Sequence, residues 1–547
     1  MDIKNMQAKP IEISAVHDLL TQAVARFPHI QAIDFFGKCT SYAELGRLVE
    51  RAAAGFQRLG VQKGMRVGLC LPNTPYYVIC YYAILRIGGV VVNLSPLYVE
   101  KELRHFLADS GARVAVTLDI AEIFDKFKPI MADGLLDKLV VGSMLEILDP
   151  VKKCGFWLTR RKSLASVPVG DGYVSFRSLL SGDKPPVAVT CDPVHDLAVL
   201  QYTGGTTGIP KAAMLSHANL TANCVQVRRR LPEITAGAGM LTLVPLFHVF
   251  AMTITLNLSV LLGLKIILLP RYEKELLRKT LARTKPLFFP GVPTLYANIN
   301  EAAQKQKWEL SSIRYCVSGA APLPEEIRTH FERISGCQLV EGYGLSEASP
   351  VVACNHFGQV RDGSIGLPVD GTVVEIRDMN DPTMPVPQGE KGEVCVRGPQ
   401  VMSGYWNRPD ETEKVFVDGL LRTGDVGYID QDGFIFLVDR IKDLIISGGY
   451  NVYPRILEEA LYKHPAVLEA VVIGIPDAKR GQVPKAYVKL QDGARVTEQE
   501  LQNFLAEHLS PVERPKKIEF REMLPKTIVG KFSRKELLAE EVAKLDS

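Results

Sequence analysis

The sequence lacks the features of secreted, zinc-binding and membrane-spanning proteins. Its ten cysteines stand singly between Cys39 and Cys395, without a Cys-x-x-Cys pair or a cluster of histidines, so it predicts neither a disulfide framework nor a zinc site. Residues 1–10 have no apolar signal-peptide core, and the final Lys-Leu-Asp-Ser is no peroxisomal signal. The most apolar stretch, residues 254–270, is too short for a bilayer span and is interrupted by Asn257 and Lys265, which favours a buried helix and strand. We therefore expect a cytoplasmic protein, with peripheral contact at the inner face of a membrane left open.

A strong net charge is also absent. The chain has 64 Lys and Arg against 61 Asp and Glu, a formal charge of +3, which gives no indication of a nucleic-acid partner. Apolar residues make up 47% and charged residues 23%, the composition of a globular protein rather than a disordered one. At 547 residues the chain is too long for one core and predicts several domain-sized units.

Helix-like and strand-like segments alternate from residue 11 to about residue 200. The first clear helix covers 41–59, with Ser41 as N-cap and Glu44 three residues later, and a strand follows at 66–71. A second helix at 76–88 leads into another strand, and the pattern then repeats. Repeated strand–helix units predict an α/β fold, in which parallel sheets are flanked by helices.

The second half of the chain continues this pattern and then changes. Strands are predicted at 241–244, 265–269 and 315–318, and the glycine-rich segment 371–404 predicts a β-rich subregion. After Asp439 a helix, a strand and an amphipathic helix, at 454–461, 467–475 and 497–509, predict a small α+β domain. We predict a large N-terminal domain of residues 1–440 and a small, mobile C-terminal domain of residues 441–547.

The regular pattern fails between residues 147 and 186. Within this interval, residues 152–162 mix five basic residues with Phe156 and Trp157. We interpret the segment as a solvated loop with one aromatic anchor, and keep contact with an anionic membrane surface as the alternative.

Residues 202–212 form a glycine-rich segment suited to a polyphosphate. They read Tyr-Thr-Gly-Gly-Thr-Thr-Gly-Ile-Pro-Lys-Ala and follow a strand-like apolar run at 197–201. Glycines expose backbone N–H groups, threonines supply hydroxyls and Lys211 supplies a cation. The segment is not a P-loop, because Pro210 precedes the lysine and Ala212 follows it.

Four further stretches predict a nucleotide site. Ser-Gly-Ala-Ala-Pro at 318–322 leaves room for a flat ring, and Glu-Gly-Tyr-Gly-Leu-Ser-Glu at 341–347 combines an aromatic ring with a carboxylate suited to magnesium. Arg-Thr-Gly-Asp at 422–425 offers an acid for ribose hydroxyls, and the pair at 439–440 adds a cation. Each stretch taken singly also has a purely structural explanation, but the combination of all four favours nucleotide binding.

Taken in order, these motifs resemble those of the acyl-adenylate-forming superfamily of acyl-CoA synthetases, adenylation domains and luciferases. Residues 440–449 resemble its hinge region, and residues 524–535 resemble the C-terminal segment that presents a catalytic lysine. The resemblance implies ATP, Mg²⁺ and CoA as cofactors and two half-reactions. A carboxylate first attacks the α-phosphorus of ATP, and a thiol then displaces AMP from the acyl-adenylate.

The resemblance also implies site residues. Lys531, Glu347 and Arg440 would be catalytic, and Thr203 and Glu347 would hold Mg²⁺. Residues that would contact the nucleotide or CoA share small, hydroxyl, aromatic or charged side chains: Thr203, Gly204, Gly205, Thr206, Thr207, Gly208, Lys211, Gly319, Ala320, Ala321, Glu341, Gly342, Tyr343, Gly344, Ser346, Asp425, Arg440 and Gly449.

Individual roles follow from the same resemblance. Lys531 would bridge the carboxylate and the α-phosphate, Tyr343 would stack on adenine, and Asp425 with Arg440 would fix the ribose. Lys442 would be the hinge. Gly449 would let the pantetheine arm of CoA pass.

The acid pocket is expected to involve His248, Val249 and Gly344. His248 would line the pocket rather than act as a base, because a carboxylic acid is already ionised at neutral pH. Gly204 and the segments 93–112 and 417–428 resemble bacterial long-chain fatty acyl-CoA synthetases, although Leu420 stands where a tryptophan is usual.

We therefore predict an AMP-forming fatty acid–CoA ligase. Medium-chain, aromatic or dicarboxylic acids remain alternatives, the last because Arg228, Arg229 and Arg230 lie near the pocket segment in sequence. An acyl-AMP ligase that loads a carrier protein and a catalytically silent binding protein are further alternatives. Homodimerisation is left open.

Overall fold

The computed structural model describes residues 10–170, 172–203, 210–527 and 531–545, and confirms the predicted α/β class. Three sheets with their helices form the N-terminal part, up to Arg440, and a fourth sheet forms the C-terminal part.

The strands of the described residues are, in chain order: β1 Gln31–Phe35, β2 Lys38–Ser41, β3 Arg66–Leu69, β4 Val90–Asn93, β5 Val114–Leu118, β6 Lys138–Gly142, β7 Tyr173–Ser175, β8 Leu197–Thr203, β9 Lys211–Ser216, β10 Gly239–Thr242, β11 Lys265–Leu268, β12 Phe288–Gly291, β13 Tyr315–Ser318, β14 Gln338–Gly344, β15 Val351–Cys354, β16 Leu367–Pro368, β17 Val373–Arg377, β18 Gly392–Arg397, β19 Phe416–Val417, β20 Leu420–Ile429, β21 Ile435–Arg440, β22 Ile445–Ser447, β23 Tyr450–Val452, β24 Val467–Asp477, β25 Gly481–Leu490 and β26 Lys517–Phe520.

The α-helices of the same residues are α1 Val16–Arg26, α2 Tyr42–Arg58, α3 Pro75–Arg86, α4 Glu100–Ser110, α5 Ala121–Phe124, α6 Phe127–Ala132, α7 Pro150–Arg160, α8 Phe176–Leu179, α9 His217–Arg230, α10 Val249–Ala251, α11 Leu258–Leu262, α12 Lys274–Thr284, α13 Pro293–Lys305, α14 Glu325–Ser335, α15 Pro409–Val415, α16 Pro454–Tyr462, α17 Glu498–Ala506 and α18 Arg534–Leu545. A π-helical segment, Met252–Asn257, joins α10 to α11.

Two large sheets carry the N-terminal part. One has nine strands in the order β16-β15-β14-β13-β12-β10-β11-β1-β2, parallel from β14 to β1. The other has seven in the order β7-β6-β5-β3-β4-β8-β9, parallel from β7 to β8. A third sheet, β17-β18-β20-β19 with β21 on β20, is the predicted β-rich subregion. In parallel sheets all carboxyl ends lie at the same edge, which is where ligands bind.

The main core includes residues from both large sheets, and helix α3 lies within it. All ten residues from Tyr76 to Leu85 are buried, so this helix is apolar around its whole circumference. Its tyrosine hydroxyls still find partners: that of Tyr77 lies 2.8 Å from the Leu246 carbonyl, and that of Tyr82 donates to Asn257 at 2.9 Å. These bonds fix the segment that carries His248.

The structure confirms the predicted N-cap of α2 and places Lys211 in a strand. Helix α2 begins after Ser41, whose hydroxyl accepts a hydrogen bond from the Glu44 N–H, as expected of an N-cap. Lys211 begins strand β9 rather than a helix, which agrees with the exclusion of a P-loop.

All ten cysteines are free thiols. No helix among the described residues is long and apolar enough to cross a bilayer.

The prediction of a loop at residues 152–162 is wrong. Most of the segment is helix α7, which a short 3₁₀ turn, Arg161–Ser163, follows. None of its residues is buried, and Val151, Trp157 and Leu158 are exposed, so the helix has no core-facing stripe. Asp149 caps the helix with bonds from the N–H groups of Val151 and Lys152, which is the local signal for it.

Candidate active site

The site lies beyond the carboxyl ends of the parallel strands. Thr203 ends β8, Ser318 ends β13 and Gly344 ends β14, while the segment after β10 brings in His248. The sheet topology therefore collects side chains that lie far apart in sequence.

Asp425 is the centre of one group. It is directly opposite Arg440 in the β20–β21 pair, and the Arg440 Nε lies 2.9 Å from its Oδ1. The Tyr343 hydroxyl donates to Oδ2 of the same carboxylate. Asp425 is 5% exposed, and its charge raises the pKa of Arg440. Three predicted nucleotide residues are thus held together as a rigid, paired cluster.

A second group surrounds Glu347. The hydroxyl of Tyr405 donates to Glu347 Oε1 at 2.9 Å, and the Lys211 ammonium lies 5.3 Å from the centre of the Tyr405 ring. Thr203 pairs with Lys211 across β8 and β9. The ammonium of Lys211 is also ion-paired with Glu411. The predicted metal and phosphate residues therefore form one contact chain.

Lys531 reaches this site from the C-terminal part of the chain. It lines a cavity together with Tyr343, Gly344 and His248. Burial lowers the pKa of Lys531 to about 8; the positive charges of Arg440 and Lys442 add to the shift, and Asp425 and Glu347 oppose it. Burial likewise lowers the pKa of Lys442. Lys531 thus faces both carboxylates of the predicted nucleotide site.

The cavity is long and apolar, and strand geometry explains its lining. Alternate residues of neighbouring parallel strands face it, because side chains of a strand alternate between its two faces. The alternating strand positions that line it are Phe288 and Pro290 on β12, Tyr315 and Val317 on β13, and Val340, Gly342 and Gly344 on β14; Tyr343, next to a register shift in β14, lines it as well. Four residue steps along β14 span about 13 Å at ~3.3 Å each. The space between its lining atoms, with the open solvent at its mouth included, amounts to about 940 Å³.

The wall opposite the strands comes mainly from the helical segments α9 and α10–α11. Its members are apolar with one exception: Val227, Arg230, Leu231, Val249, Phe250, Ile254 and Leu258. Arg230 donates to the Pro368 carbonyl, contacts His356 and lies 3.7 Å from Asp370. The two terminal nitrogens of this arginine are therefore already engaged by protein groups, whereas its buried Nε has no hydrogen-bond partner among the described residues.

His248 lies where the cavity meets the nucleotide groups. Its Nδ1 accepts a hydrogen bond from the Phe250 N–H at 3.3 Å. Burial, with a smaller contribution from Lys531, lowers the pKa of His248 to about 3, so the imidazole is neutral at physiological pH. This placement agrees with a lining role.

Gly344 is dictated by close backbone packing. A Cβ at this position would lie 1.9 Å from the Pro350 carbonyl oxygen, where no side chain fits. Gly319 borders the cavity under the Phe250 ring, 3.3 Å from where a Cβ would stand. Because neither glycine has a side chain, the neighbouring groups can pack closely against the backbone at both positions.

Some predicted site residues lie away from the cavity lining. Glu341 is half-buried and accepts a bond from the Leu323 N–H at 3.4 Å; its burial raises its pKa to about 7, and the charge of Arg455 opposes this. Ala321 is absent from the lining, whereas Ala320 and Ser346 belong to it. Gly449 is exposed in the turn between β22 and β23.

The remaining predicted residues, Gly204, Gly205, Thr206, Thr207 and Gly208, lie outside the described residues. Sequence reasoning missed Tyr405 and Glu411. The only signal for them was the Gly-Tyr-Trp-Asn-Arg-Pro segment at 404–409, a turn-rich stretch of the kind that supports a site.

Comparison with known proteins gives matches over almost the whole chain. Residues 20–406 match the AMP-binding enzyme family, and residues 457–531 match the AMP-binding enzyme C-terminal domain. A long-chain-fatty-acid–CoA ligase of Bacillus subtilis (strain 168) is 42% identical over 97% of this chain and 95% of its own. A long-chain-fatty-acid–CoA ligase of Escherichia coli O6:H1 is 36% identical over 99% of this chain and 97% of its own.

Among solved structures, an anthranilate CoA ligase in complex with anthranoyl-AMP superimposes with a TM-score of 0.87. The two chains are 25% identical, and the superposition covers the full length of both. The similarity therefore extends from the fold of the large N-terminal part to the segment that carries Lys531.

Proposed function

The chain belongs to the AMP-binding enzyme family, and from this we propose that it activates a long-chain fatty acid with ATP and transfers the acyl group to CoA. The observation that carries the acid assignment is the apolar cavity that extends for about 13 Å behind Gly344, with Lys531 at its mouth. An alkyl chain fits such a lining, and its carboxylate would lie beside the ammonium of Lys531. The 42% identical relative carries the same activity in its name.

In the first half-reaction a carboxylate oxygen bonds to the α-phosphorus of ATP, and the bond to the bridging oxygen of pyrophosphate breaks. Negative charge accumulates on the phosphorus oxygens in the transition state. The ammonium of Lys531 neutralises it, while Arg440 and Asp425 hold the ribose and Tyr343 covers the adenine. In the second half-reaction the sulfur of CoA attacks the acyl carbonyl carbon, and AMP leaves with the electron pair of the mixed-anhydride bond.

Magnesium fits the group around Glu347. This ion usually takes one or two protein oxygens and completes its shell with water and substrate phosphates. Glu347 supplies a carboxylate whose Oε1 is oriented by Tyr405, and Thr203 supplies a hydroxyl on the neighbouring strand end. No cluster of three or more potential ligands exists in the described part of the chain, which suits an ion shared with ATP. When bound, magnesium supplies Lewis-acid neutralisation of the phosphate charge.

We also propose the predicted division after Arg440. Strand β21 ends at this residue, and the fourth sheet, β23-β22-β25-β24 with β26 on β25, begins at Ile445. Lys442 lies in the short connection between them, where a change of backbone dihedrals would rotate the C-terminal part.

An aromatic acid is the second candidate substrate. The observation in its favour is the anthranilate CoA ligase, whose structure superimposes along the full chain. A dicarboxylic acid is less favoured, because Arg230 already pairs with Asp370 and donates to Pro368.

The substrate assignment predicts a strong dependence on alkyl length. Pyrophosphate release should be measured over saturated acids of graded length and over benzoate derivatives, with and without CoA. Each CH₂ buried in the cavity contributes about 0.8 kcal/mol, so kcat/KM should rise about fourfold per CH₂ until the cavity is filled. Flat activity across alkyl lengths, or a preference for the aromatic acids, would contradict the proposal.

A variant at the far end of the cavity provides the matched control. Met240 lies in β10 toward its amino end and lines the cavity at a distance from Lys531. Met240→Trp should shorten the cavity, so that the longest preferred acid loses about tenfold or more in kcat/KM while acids several carbons shorter keep wild-type values. Equal losses for all acids would indicate damage to the fold instead.

The adenylation rate should also fall at alkaline pH. Lys531 must be protonated to neutralise the phosphate, and its pKa in the free enzyme is about 8. Since kcat/KM reports ionisations of the free enzyme, it should be half lost near pH 8 and decline tenfold per pH unit above this value, one proton being lost per site. In Lys531→Arg, whose guanidinium stays protonated, the rate should be lower but the alkaline limb should disappear. An unchanged limb in this variant would assign the ionisation to another group.

A further inference from the structure

Helix α7 is a surface element that the proposed reaction does not use. Asp149 caps it, Pro150 occupies its first turn, and Arg160 ends it. The helix is thus specified by its own sequence, although none of its residues is buried.

One side of α7 rests on the protein and the opposite side is apolar and exposed. Phe156 is the only residue of the helix that packs against the main core. On the 100° spacing of a helix, Val151, Cys154, Trp157 and Leu158 fall on the side away from Phe156. Val151 is 81%, Leu158 67% and Trp157 48% exposed. Burying these side chains in an apolar medium would be favourable.

Cations flank this apolar stripe. Within residues 150–163 they are Lys152, Lys153, Arg160, Arg161 and Lys162, and the same segment contains no acid. The guanidinium of Arg161 lies 5.4 Å from the centre of the Trp157 ring, and Lys152 is ion-paired with the capping Asp149. Long basic side chains beside an apolar stripe can extend toward headgroups while the stripe enters the acyl region.

We propose that α7 docks the protein on a membrane surface that contains anionic phospholipids. The segment combines an amphipathic helix, a tryptophan and a cluster of cations, each of which binds such an interface. A protein partner fits less well, because four apolar side chains are far fewer than the roughly 20 residues a side of a stable protein interface. The docking itself does not rest on the proposed function. If the docking and the proposed function both hold, the enzyme works at the membrane surface, into which long-chain acids partition.

Vesicle binding tests the proposal on the full-length protein without substrates. Unilamellar vesicles of phosphatidylglycerol and phosphatidylcholine should bind it in co-sedimentation, and phosphatidylcholine vesicles should bind it at least about tenfold more weakly. Binding to the anionic vesicles should decline as salt is raised, because ions screen the attraction. Trp157 offers a second readout: its emission should shift to shorter wavelength on binding, whereas Trp308 is already buried.

Three variants complete the experiment. Leu158→Ser and Arg160→Glu should each reduce binding to the anionic vesicles by about fivefold or more. Met523→Ser, which changes a side chain that is 80% exposed elsewhere, should leave binding unchanged. All three should adenylate a short, dispersed acid at the wild-type rate. Absence of wild-type binding, equal binding to both vesicle types, or unchanged binding in the two α7 variants would overturn the proposal.

Discussion

Lys531→Ala is expected to lower acid-dependent pyrophosphate release by about 10²–10³-fold, the loss typical when one donor to a developing oxyanion is removed. Lys531 is half-buried at the mouth of the apolar cavity, and this burial, with the neighbouring cations, lowers its pKa to about 8. A cation that is already desolvated gains more from a developing negative charge than one in water. The loss should appear mainly in kcat, because the interaction forms fully only in the transition state.

The second half-reaction separates this role from a structural one. With acyl-adenylate supplied directly, Lys531→Ala should form thioester within about threefold of the wild-type rate, since no phosphate is being attacked. Lys526→Ala is a matched control in the same segment: Lys526 pairs with Glu469 and does not line the cavity. If Lys531→Ala keeps adenylation within about tenfold, only ~1.4 kcal/mol, the assigned role is wrong.

The sequence motifs assigned Asp425, Arg440 and Tyr343 to one site, and the structure places their side chains in contact. Asp425 and Arg440 stand in short motifs, and the structure pairs them directly across β20 and β21. Tyr343 belongs to a third motif and donates to the same carboxylate. Such residues are recognisable because a fixed ligand needs fixed side-chain types at fixed spacings.

The cavity wall could not be predicted in the same way. Phe288, Tyr315 and Val340 line it because β12, β13 and β14 are neighbours in the sheet, and their sequence shows only short apolar strands. Any apolar residue of suitable size would preserve that pattern. The depth of the pocket, and with it the substrate length, therefore depends on tertiary packing.

Helix α7 illustrates the opposite failure. Val151, Trp157 and Leu158 share one side of the helix but are exposed, so their spacing does not mark a core-facing stripe. The cap at Asp149 and the proline after it are local signals for the start of a helix, whereas the loop interpretation followed from the loss of the regular pattern between residues 147 and 186. Capping signals therefore carry information about a helix whose apolar side does not face the core.

Gly449→Leu is expected to slow thioester formation by about a hundredfold, ~2.7 kcal/mol, while adenylation changes by less than about threefold. In the structure Lys531 lines the cavity, whereas Gly449 is exposed in a turn, where a Cβ added to it would have no atom within 4 Å. In this arrangement of the C-terminal part, Lys531 lines the cavity and Gly449 does not. If that part rotates about Lys442 to bring Gly449 to the site, a leucine there would occupy the path of the pantetheine arm.

Gly449→Ala separates bulk from backbone strain. Gly449 has a φ of +85°, so any side chain at this position costs about 1 kcal/mol or more. Alanine introduces that strain with only a methyl group, and it should therefore slow thioester formation much less than leucine does. The measurement is single-turnover transfer from supplied acyl-adenylate to CoA, beside pyrophosphate release for the first step. Equal slowing of both steps by leucine, or equal effects of alanine and leucine, would contradict a role for Gly449 in CoA access.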